Sequence, residues 1–365
     1  MSAVWGNNLK VSIFGESHGG AIGINIDGLP AGIELDLEAI DKEMKRRAPG
    51  RNNLSTARKE GDVPEIVSGF FEGRTTGTPL CAIIRNSDTR SKDYGKLKDL
   101  MRPGHADYTG KIRYGGFNDY RGGGHFSGRI TAPLVFAGAV CKQVLELKGI
   151  QIGAHIKSIK SEEDKAFDYT DISKETLMAL NDMEFPLLDK SKEESMREVI
   201  IRAKKEGDSV GGTIECAIAG VKPGIGNPFF DSVESTLSHL LFSVPAVKGI
   251  EFGLGFDLTE MYGSESNDDY YYNDNNEVKT KTNNNGGILG GITNGMPIVF
   301  KTAIKPTPSI SKKQKTINVE TKENDELVIE GRHDPCIVQR AVPVIEAVAA
   351  IGILDLLKER YGWQI

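Results

Sequence analysis

The stretch GRTTGTPL at residues 73–80 recurs as GITNGMPI at residues 291–298. Both stretches follow the pattern G-x-T-x-G-x-P and end on an aliphatic residue. A second pair of stretches begins at Ser17 and at Ser209, with glycines and isoleucines at the same spacing behind each serine. Matching segments in the same order along one chain are typical of an internal duplication.

Two long apolar segments follow these stretches and predict buried helices, over residues 131–147 and 341–359. Each predicted helix carries a proline in its first turn, Pro133 in one and Pro343 in the other. Proline is tolerated there because its missing N–H would have no partner within the helix.

A histidine followed closely by an aspartate precedes each of these helices, beginning at His105 and at His333. The three matched pairs predict one domain over residues 1–365 that consists of two related halves, approximately residues 10–148 and 203–360.

Short runs rich in β-branched residues and bounded by glycine or proline predict strands. These runs cover residues 23–26, 80–84, 213–219 and 297–303. Amphipathic spacing predicts helices over residues 232–241 and over residues 38–47, with Asp36 near the start of the latter. Strands joined by glycine and proline turns, without regular helical crossovers, favour antiparallel sheets and an α+β layered fold.

Two further segments are expected to lie outside this core. Residues 267–285 are rich in Asn, Asp and Tyr and predict an exposed, mobile insertion. The charged residues 161–197 predict a peripheral segment.

Composition narrows the class of protein. The chain has 365 residues, 39% of them hydrophobic, and a net charge of −6, which argues against a surface built for nucleic acid or an anionic membrane. The four cysteines are scattered singly, which favours reduced thiols over a zinc site. The first nine residues lack the features of a signal peptide. The longest apolar stretch, residues 341–357, contains proline, glycine and acidic residues, so it suits a buried helix better than a membrane span. We expect a cytoplasmic protein that has no membrane segment.

The densest positive charge lies between Lys42 and Lys59, where seven Lys and Arg residues accompany a single acid. Such a patch attracts a small anion and offers bidentate guanidinium contacts to it. A solvated helix face that continues into a loop is the alternative interpretation of the same pattern.

Glycine clusters at residues 15–20, 122–124 and 286–291 are a second indication of anion binding, because such loops let backbone N–H groups approach a phosphate. None of them matches a Walker loop or a dinucleotide fingerprint, and any single loop is equally typical of a plain turn.

Histidine is a third indication. Four of the six histidines lie in Gly/Arg-rich settings, which favours acid/base chemistry on a phosphate over four separate structural roles. These four are His18, His105, His125 and His333; the other two, His155 and His239, lack such surroundings.

Nine stretches resemble the chorismate synthase family, in the family's order and along nearly the whole chain. They are FGESHG (14–19), DGLPAGIEL (27–35), RRAPGR (46–51), RPGHADYT (102–109), DYRGGG (119–124), AVKGIEFG (246–253), NGGILGGITNG (285–295), KPTPSI (305–310) and GRHDPC (331–336).

The resemblance implies a layered β-α-β sandwich with a pseudo-two-fold duplication. It also implies a lyase of the shikimate pathway to aromatic amino acids, which converts 5-enolpyruvylshikimate 3-phosphate into chorismate and phosphate by a trans-1,4-elimination. Family members require reduced FMN although the reaction has no net redox change, and NADPH would be an indirect reductant. A transient electron from the reduced flavin would help the phosphate to leave.

The resemblance also implies catalytic roles for three residues. His18 would be the general acid toward the departing phosphate, His105 would protonate or hydrogen-bond the reduced flavin, and Asp334 would act beside flavin N5.

Three arginines match the family's substrate contacts. Arg47, Arg129 and Arg340 would hold the two carboxylates and the phosphate of the substrate by charge-assisted hydrogen bonds. Arg47 also matches a position that contacts NADP in the family.

Contacts to FMN are carried over onto the positions that match the family. They are His125, Phe126, Ser127, Pro245, Ala246, Gly290, Lys305, Pro306, Thr307, Pro308, Ser309 and Arg332. The chain departs from the common pattern in three places, with His125-Phe126-Ser127 for Arg-Ser-Ser, Pro245-Ala246 for Asn-Ala, and Asn53 for an arginine. Backbone contacts to the flavin could survive these changes.

The resemblance implies a homotetramer, whereas composition and charge are the reason to expect no nucleic-acid or membrane partner. Because no added reductase domain is visible, we expect reduced flavin to come from an external flavin reductase. The rival functions are a phosphate- or RNA-binding module that uses the basic patch, and a phosphotransferase. The overall acidity disfavours the first rival, and the lack of a nucleotide loop disfavours the second.

Overall fold

The structure, a computed structural model, describes residues 3–50, 61–87, 98–329 and 334–362. Its strands are β1 (Val4–Trp5), β2 (Lys10–Gly15), β3 (Ala21–Asp27), β4 (Pro64–Ser68), β5 (Phe70–Phe71), β6 (Arg74–Thr75), β7 (Leu80–Arg85), β8 (Gln151–Ile159), β9 (Glu162–Glu163), β10 (Gly212–Ala219), β11 (Val247–Phe252), β12 (Tyr270–Tyr272), β13 (Val278–Thr280), β14 (Ile288–Leu289), β15 (Ile292–Thr293), β16 (Ile298–Ile304), β17 (Gln314–Asn318) and β18 (Glu323–Leu327). Its helices are α1 (Leu37–Arg47), α2 (Asp107–Arg113), α3 (Thr131–Glu146), α4 (Lys174–Asn181), α5 (Glu193–Lys205), α6 (Val233–Ser243), α7 (Gly263–Ser266) and α8 (Val338–Tyr361).

Two five-stranded antiparallel sheets enclose a layer of helices. The first sheet has the order β1-β2-β3-β7-β4, and the second has the order β11-β16-β10-β8-β9. Helix α3 contacts strands of both sheets, and α8 lies along α3 and against β8 and β10. The prediction of an α+β fold with antiparallel sheets is therefore confirmed.

The two long helices of this layer approach each other closely. A Cβ atom added to Gly138 of α3 would come within 2.2 Å of the Cβ atom of Ala347 in α8. Only small residues fit at such a crossing, because any larger side chain would push the helix axes apart.

The predicted strands and helices all form, with ends that shift by a few residues. Asp36 caps α1 and accepts hydrogen bonds from the N–H groups of Glu38 and Ala39. The predicted place of Pro343 in a first turn is wrong, because α8 begins at Val338 and the proline lies in its second turn. The earlier start is stabilised by hydrogen bonds that the carbonyl of Ile337 accepts from the next turn.

The two halves of the chain make matching contacts. The hydroxyl of Thr75 accepts a hydrogen bond from the N–H of Ile33, and the hydroxyl of Thr293 accepts one from the N–H of Ile225. Each hydroxyl also donates to the carbonyl three residues before that N–H. The pairs β5–β6 and β14–β15 form equivalent small hairpins. These contacts support our proposal that the halves descend from one duplicated unit.

A buried glutamate joins the helical layer to the second sheet. Glu346 of α8 accepts hydrogen bonds from Arg46 of α1 at 2.6 and 2.9 Å, from Lys142 of α3 at 2.5 Å, and from the N–H of Ala154 in β8. Burial alone would raise the pKa of this carboxyl, but the two cations outweigh burial and hold it well below its usual range. Its charge is therefore retained inside the protein.

Residues 161–197 were expected to be peripheral, and this prediction is wrong for their apolar side chains. Phe167, Leu177 and Leu180 are buried against Ala217 of β10, on the face of the second sheet that points away from α3 and α8. The segment thus covers the apolar residues Ala217 and Ala219 on the outer face of β10.

Residues 267–285 form an exposed hairpin of β12 and β13. Its base is anchored by Asp268, whose carboxylate accepts hydrogen bonds from Thr282 and from the backbone of Asn284 and Asn285. The predicted surface insertion is thus a regular hairpin, and its mobility stays a prediction.

The last helix also holds the beginning of the chain. Asp355 accepts hydrogen bonds from the N–H groups of Asn7, Asn8 and Leu9, and Lys358 donates to the carbonyl of Asn8 at 2.8 Å. Within the described ranges, no helix is long and apolar enough to cross a membrane.

A charged histidine is enclosed beneath the 161–197 segment. His155 lies directly opposite Glu215 on neighbouring strands, and its ring nitrogens lie 2.9 Å from Asp164 and from Glu215. Burial would lower the pKa of His155, but the two carboxylates outweigh burial and raise it. Folding therefore favours the imidazolium form of His155 over the neutral ring.

This cluster predicts a pH-dependent stability. Because the pKa of His155 is raised on folding, its stabilising effect is complete below about pH 6.5 and is lost as pH rises through the folded-state pKa. We expect the melting temperature to fall over this alkaline range in the wild type and to fall less steeply in His155→Gln, as measured by calorimetry between pH 6 and 9. A His239→Ala variant, changed at an exposed histidine, is the control. Equal slopes in the wild type and His155→Gln would contradict the assignment.

Candidate functional site

A loop of three glycines separates two of the histidines that the sequence singles out. Gly122, Gly123 and Gly124 all have positive φ, of 58°, 87° and 54°. An added Cβ atom at Gly122 would come within 2.2 Å of Cε1 of His18, and one at Gly123 within 3.2 Å of Nε2 of His105. Glycine is required at Gly122 for space as well as for conformation. The loop thus brings the two imidazoles to one place.

The tautomer of His18 is set by its neighbour Ser17. The Ser17 hydroxyl donates its only hydrogen toward the carbonyls of Arg121 and Gly122, at 3.2 and 3.1 Å. It can therefore only accept at the 3.2 Å contact with Nδ1 of His18, which places the ring hydrogen on Nδ1. Nε2 of His18 is then the atom that can take or give a proton.

His105 is held from the other side by a carboxylate. Its Nδ1 lies 2.7 Å from a carboxylate oxygen of Asp107. Arg102 grips the same carboxylate with two hydrogen bonds of 2.7 Å. Burial would raise the pKa of Asp107, but Arg102 and His105 outweigh burial and keep it far below its usual range. A permanent negative charge therefore stands beside His105.

The three predicted substrate arginines lie together with two aspartates. Asp62 contacts Arg47 at 2.5 Å and also pairs with Arg129, and both arginines are almost fully buried. Arg340 pairs with Asp334 and donates from Nε to the carbonyl of Arg47 at 3.1 Å. Three guanidinium groups and two carboxylates leave the group with a net positive charge.

The arginine group is connected to the histidine loop by Asn86. The side-chain oxygen of Asn86 accepts from Nε of Arg129 at 3.1 Å. Its NH₂ group donates to the carbonyls of Glu16 and Gly19, which flank His18. One short chain of contacts therefore joins the candidate acid to the candidate anion-binding group.

Burial and mutual repulsion act on Arg47. Burial lowers its pKa, Asp62 raises it, and the nearby Arg340 and Arg129 lower it again, to about 10. The charge of Arg47 thus depends on the groups that surround it.

The residues after the triple glycine are engaged within the protein. Nδ1 of His125 lies 2.8 Å from the carbonyl of Gly15, to which it donates. The ring of Phe126 lies against Gly110, where an added Cβ atom would come within 2.7 Å of it. Ser127 caps the short turn that follows. These contacts show how the chain accommodates His and Phe at positions where an arginine and a serine are common.

The KPTPS loop lies on the loop that carries His105. Lys305 donates from Nζ to the carbonyl of Gly104 at 2.7 Å, and Nη1 of Arg102 lies 3.4 Å from the hydroxyl of Ser309. An added Cβ atom at Gly104 would be in ordinary contact with Pro308. The predicted FMN-binding loop and the loop of His105 therefore pack against each other.

Two side chains of this loop, Thr307 and Lys305, have groups that would bind an anion. The hydroxyl oxygen of Thr307 is buried and has no hydrogen-bond partner among the described residues. Burial and then the neighbouring Lys248 lower the pKa of Lys305. A bound phosphate would accept from the hydroxyl and reverse the effect on the lysine.

The other predicted FMN positions are less closely connected. Pro306 lies against Gly211, Pro245 is exposed, and the carbonyl of Ala246 accepts from the N–H of Lys305 at 2.9 Å. Gly290 turns the β14–β15 hairpin with open space around it, and no described contact joins it to this loop. Arg332, together with His333 and residues 51–60 of the basic patch, lies outside the described residues.

Sequence reasoning missed three residues that shape this site. Asp62 follows the basic patch closely, but Glu60 and Glu65 flank it, so the sequence has no signal that singles it out. Ser17 and Asp107 stand next to or near the two histidines, in the positions from which a side chain can orient a ring. Among the described residues, no cluster of His, Cys, Asp or Glu could hold a metal ion.

Comparisons with known proteins agree with the resemblance. The family model described as "Chorismate synthase" matches residues 9–357. A chorismate synthase of Methanocaldococcus jannaschii is 48% identical over 97% of this chain and 95% of its own length. One of Thermococcus kodakarensis is 46% identical over 98% of both chains. A crystal structure of chorismate synthase aligns with a TM-score of 0.76 at 30% identity, over 98% of this chain and 94% of the other.

The contact between Gly122 and His18 predicts the effect of one methyl group. In Gly122→Ala the new Cβ atom displaces the His18 ring, and we expect the catalytic rate to fall by about 10²-fold. Gly73→Ala is a matched control, because Gly73 also has a positive φ but has open space around it. Equal activity in the two variants, with similar melting temperatures, would show that the position of His18 is unimportant.

Proposed function

Because this chain belongs to the chorismate synthase family, whose members are lyases, we propose that it converts 5-enolpyruvylshikimate 3-phosphate into chorismate and inorganic phosphate. The reaction would be the trans-1,4-elimination that completes the shikimate pathway, and it would use reduced FMN without net redox change. The observation that carries this proposal is the placement of His18 and His105 on either side of one glycine loop, connected through Asn86 to the arginine group.

The charge of the arginine group suits the proposed substrate. Two carboxylates and a phosphate need several cations, and planar guanidinium groups bind both kinds of anion with paired hydrogen bonds. Arg47 uses three of its five N–H donors for Thr131, Asp62 and the carbonyl of Gly128. Its remaining donors would serve the substrate, and the positive charges of Arg129 and Arg340 would add to the attraction.

The residues present fit a flavin mononucleotide. The orphaned hydroxyl of Thr307 and the ammonium of Lys305 would bind its phosphate. Residues 122–127 and 305–309 would flank its ring system, with His105 at the edge. When bound, reduced FMN would supply an electron that assists loss of phosphate and would recover it on taking up the ring hydrogen, so that there is no net redox change. An FMN of this kind stays a proposal for this chain.

The protein's own groups then have separate tasks. His18 would donate a proton from Nε2 to the departing phosphate, because Ser17 keeps the other ring hydrogen on Nδ1. Asp107 would keep the His105 ring oriented. Asp334 would be held in place by Arg340. Arg47, Arg129 and Arg340 would fix the ring of the substrate so that the breaking C–O bond faces His18.

Membership of the same family is the basis for our proposals about oligomeric state, compartment and source of reductant. We propose a homotetramer that works in the cytoplasm and receives reduced flavin from an external reductase, with NADPH as the ultimate reductant. Phe229 and Phe230 support assembly, because both side chains are almost wholly exposed in the single chain. All four cysteines are free thiols, as expected for a reducing compartment.

The proposed function predicts a strict need for reduced flavin. Phosphate release from 5-enolpyruvylshikimate 3-phosphate should occur under anaerobic conditions with reduced FMN, and it should stop when oxidised FMN or no flavin is supplied. Colorimetric phosphate analysis and the absorbance of chorismate would be followed together. Phosphate release in the absence of flavin would reject the proposal in favour of a phosphatase.

The two histidines predict a second result. His18→Ala and His105→Ala should each slow turnover by about 10²–10⁴-fold, as is typical when an acid/base group is lost, with an unchanged circular dichroism spectrum. His239→Ala removes an exposed histidine on α6 and should retain the wild-type rate. Wild-type rates in both site variants would overturn their assigned roles.

A further inference from the structure

Asp62 is the least expected residue of the site. Its side chain is completely buried, and its two carboxylate oxygens contact two different arginines, Arg47 through Oδ2 and Arg129 through Oδ1. Both arginines are themselves about 95% buried. One carboxylate therefore bridges two guanidinium groups that belong to α1 and to the turn before α3.

The bridge offsets the repulsion between two buried positive charges. Two buried guanidinium groups repel each other strongly, because little water is present to screen their charges. Arg340 adds a third positive charge, since its Nε contacts the carbonyl of Arg47. Without a counter-ion the arginines would separate or, in the case of Arg47, give up a proton. Asp62 removes both alternatives.

We propose that Asp62 is a positioning residue that sets the spacing and the orientation of Arg47 and Arg129, so that together they receive one anionic group of the substrate. This inference rests on the proposed function, because it assigns these arginines to a polyanionic substrate. Asp62 itself does not touch the substrate and acts only through the two arginines.

The remaining contacts of the arginines support a role in positioning. Arg47 is fixed at Nε by Thr131 and at Nη2 by the carbonyl of Gly128. Arg129 is fixed at Nε by Asn86, the residue that also holds the loop of His18. Asp62 completes the set, so the two planar groups keep one orientation relative to the candidate acid. A preorganised pair of this kind binds an anion without first having to order itself.

The rival explanation is that Asp62 occupies the place of the substrate's own anion. In that case the carboxylate would compete with the substrate, and its removal would strengthen binding. The two explanations differ in the sign of the effect, so one set of variants separates them.

The principal variant is Asp62→Asn, which keeps the shape of the side chain. Its carbonyl oxygen can accept from one arginine, but its NH₂ group can only donate and faces the other arginine unfavourably. Asp62→Glu restores the charge and serves as the rescue variant. Asp355→Asn is the matched control, because Asp355 is also buried and multiply hydrogen-bonded, but to backbone N–H groups far from any arginine of the site.

Two measurements are made on each full-length variant. Calorimetry gives the affinity for 5-enolpyruvylshikimate 3-phosphate in the absence of flavin, and anaerobic assays with reduced FMN give KM and kcat between pH 6.5 and 10. Melting temperatures show whether a variant is folded at the assay temperature.

For Asp62→Asn we expect KM and the dissociation constant to rise by about tenfold or more, while kcat changes much less. The rise of KM at alkaline pH should also begin at a lower pH than in the wild type, because the pKa of Arg47, about 10 with Asp62 present, falls further without it. Asp62→Glu should recover part of the affinity. Asp355→Asn should keep the wild-type KM, even if its melting temperature falls.

Wild-type affinity in folded Asp62→Asn, or tighter binding than in the wild type, would overturn the inference. An unchanged alkaline limb of KM would do so as well, because a purely structural role does not move that limb. Failure of the proposed function is separate, since it would appear as a wild-type enzyme that releases no phosphate with reduced FMN.

Discussion

The fold depends on the enclosure of the negative charge of Glu346. This carboxylate is completely buried, so it must be neutralised by Arg46 and Lys142, and each of these cations comes from a different helix. The N–H of Ala154 adds the second sheet to the same point. One charge therefore fixes the mutual positions of α1, α3, α8 and β8, and the close crossing of Gly138 and Ala347 fills the space around it.

The same constraint reaches the candidate site through α1. Consecutive residues on a helix point about 100° apart, so when Arg46 is held by Glu346 its neighbour Arg47 must face another direction. Arg47 points toward Asp62 and toward Thr131, the first residue of α3. At the end of α1, Arg46 thus contributes to the stability of the fold, and Arg47 belongs to the group that would bind the substrate. The contact between Arg46 and Glu346 therefore helps to position the arginine group, although neither residue would touch the substrate.

Much of this arrangement could be predicted from the sequence, because periodic apolar patterns and glycine turns report local structure well. The strands at 213–219 and 297–303 and the capped helix after Asp36 are examples. The start of α8 could not, since a first turn packed against the rest of the fold overrides the local preference of Pro343. Partners distant in sequence were also hidden: neither His155, enclosed by two acids, nor Asp62, shared by two arginines, has a local pattern that names its partner.

The hold of α8 on the N-terminal segment has a consequence for the synthesis of the chain. The N–H groups of Asn7, Asn8 and Leu9 are satisfied by Asp355, which lies 346 to 348 residues away in sequence. These hydrogen bonds can therefore form only after the residues of α8 have been synthesised. The segment between β1 and β2 thus depends for its final contacts on one of the longest loop closures in the chain, and contacts of such long range form slowly.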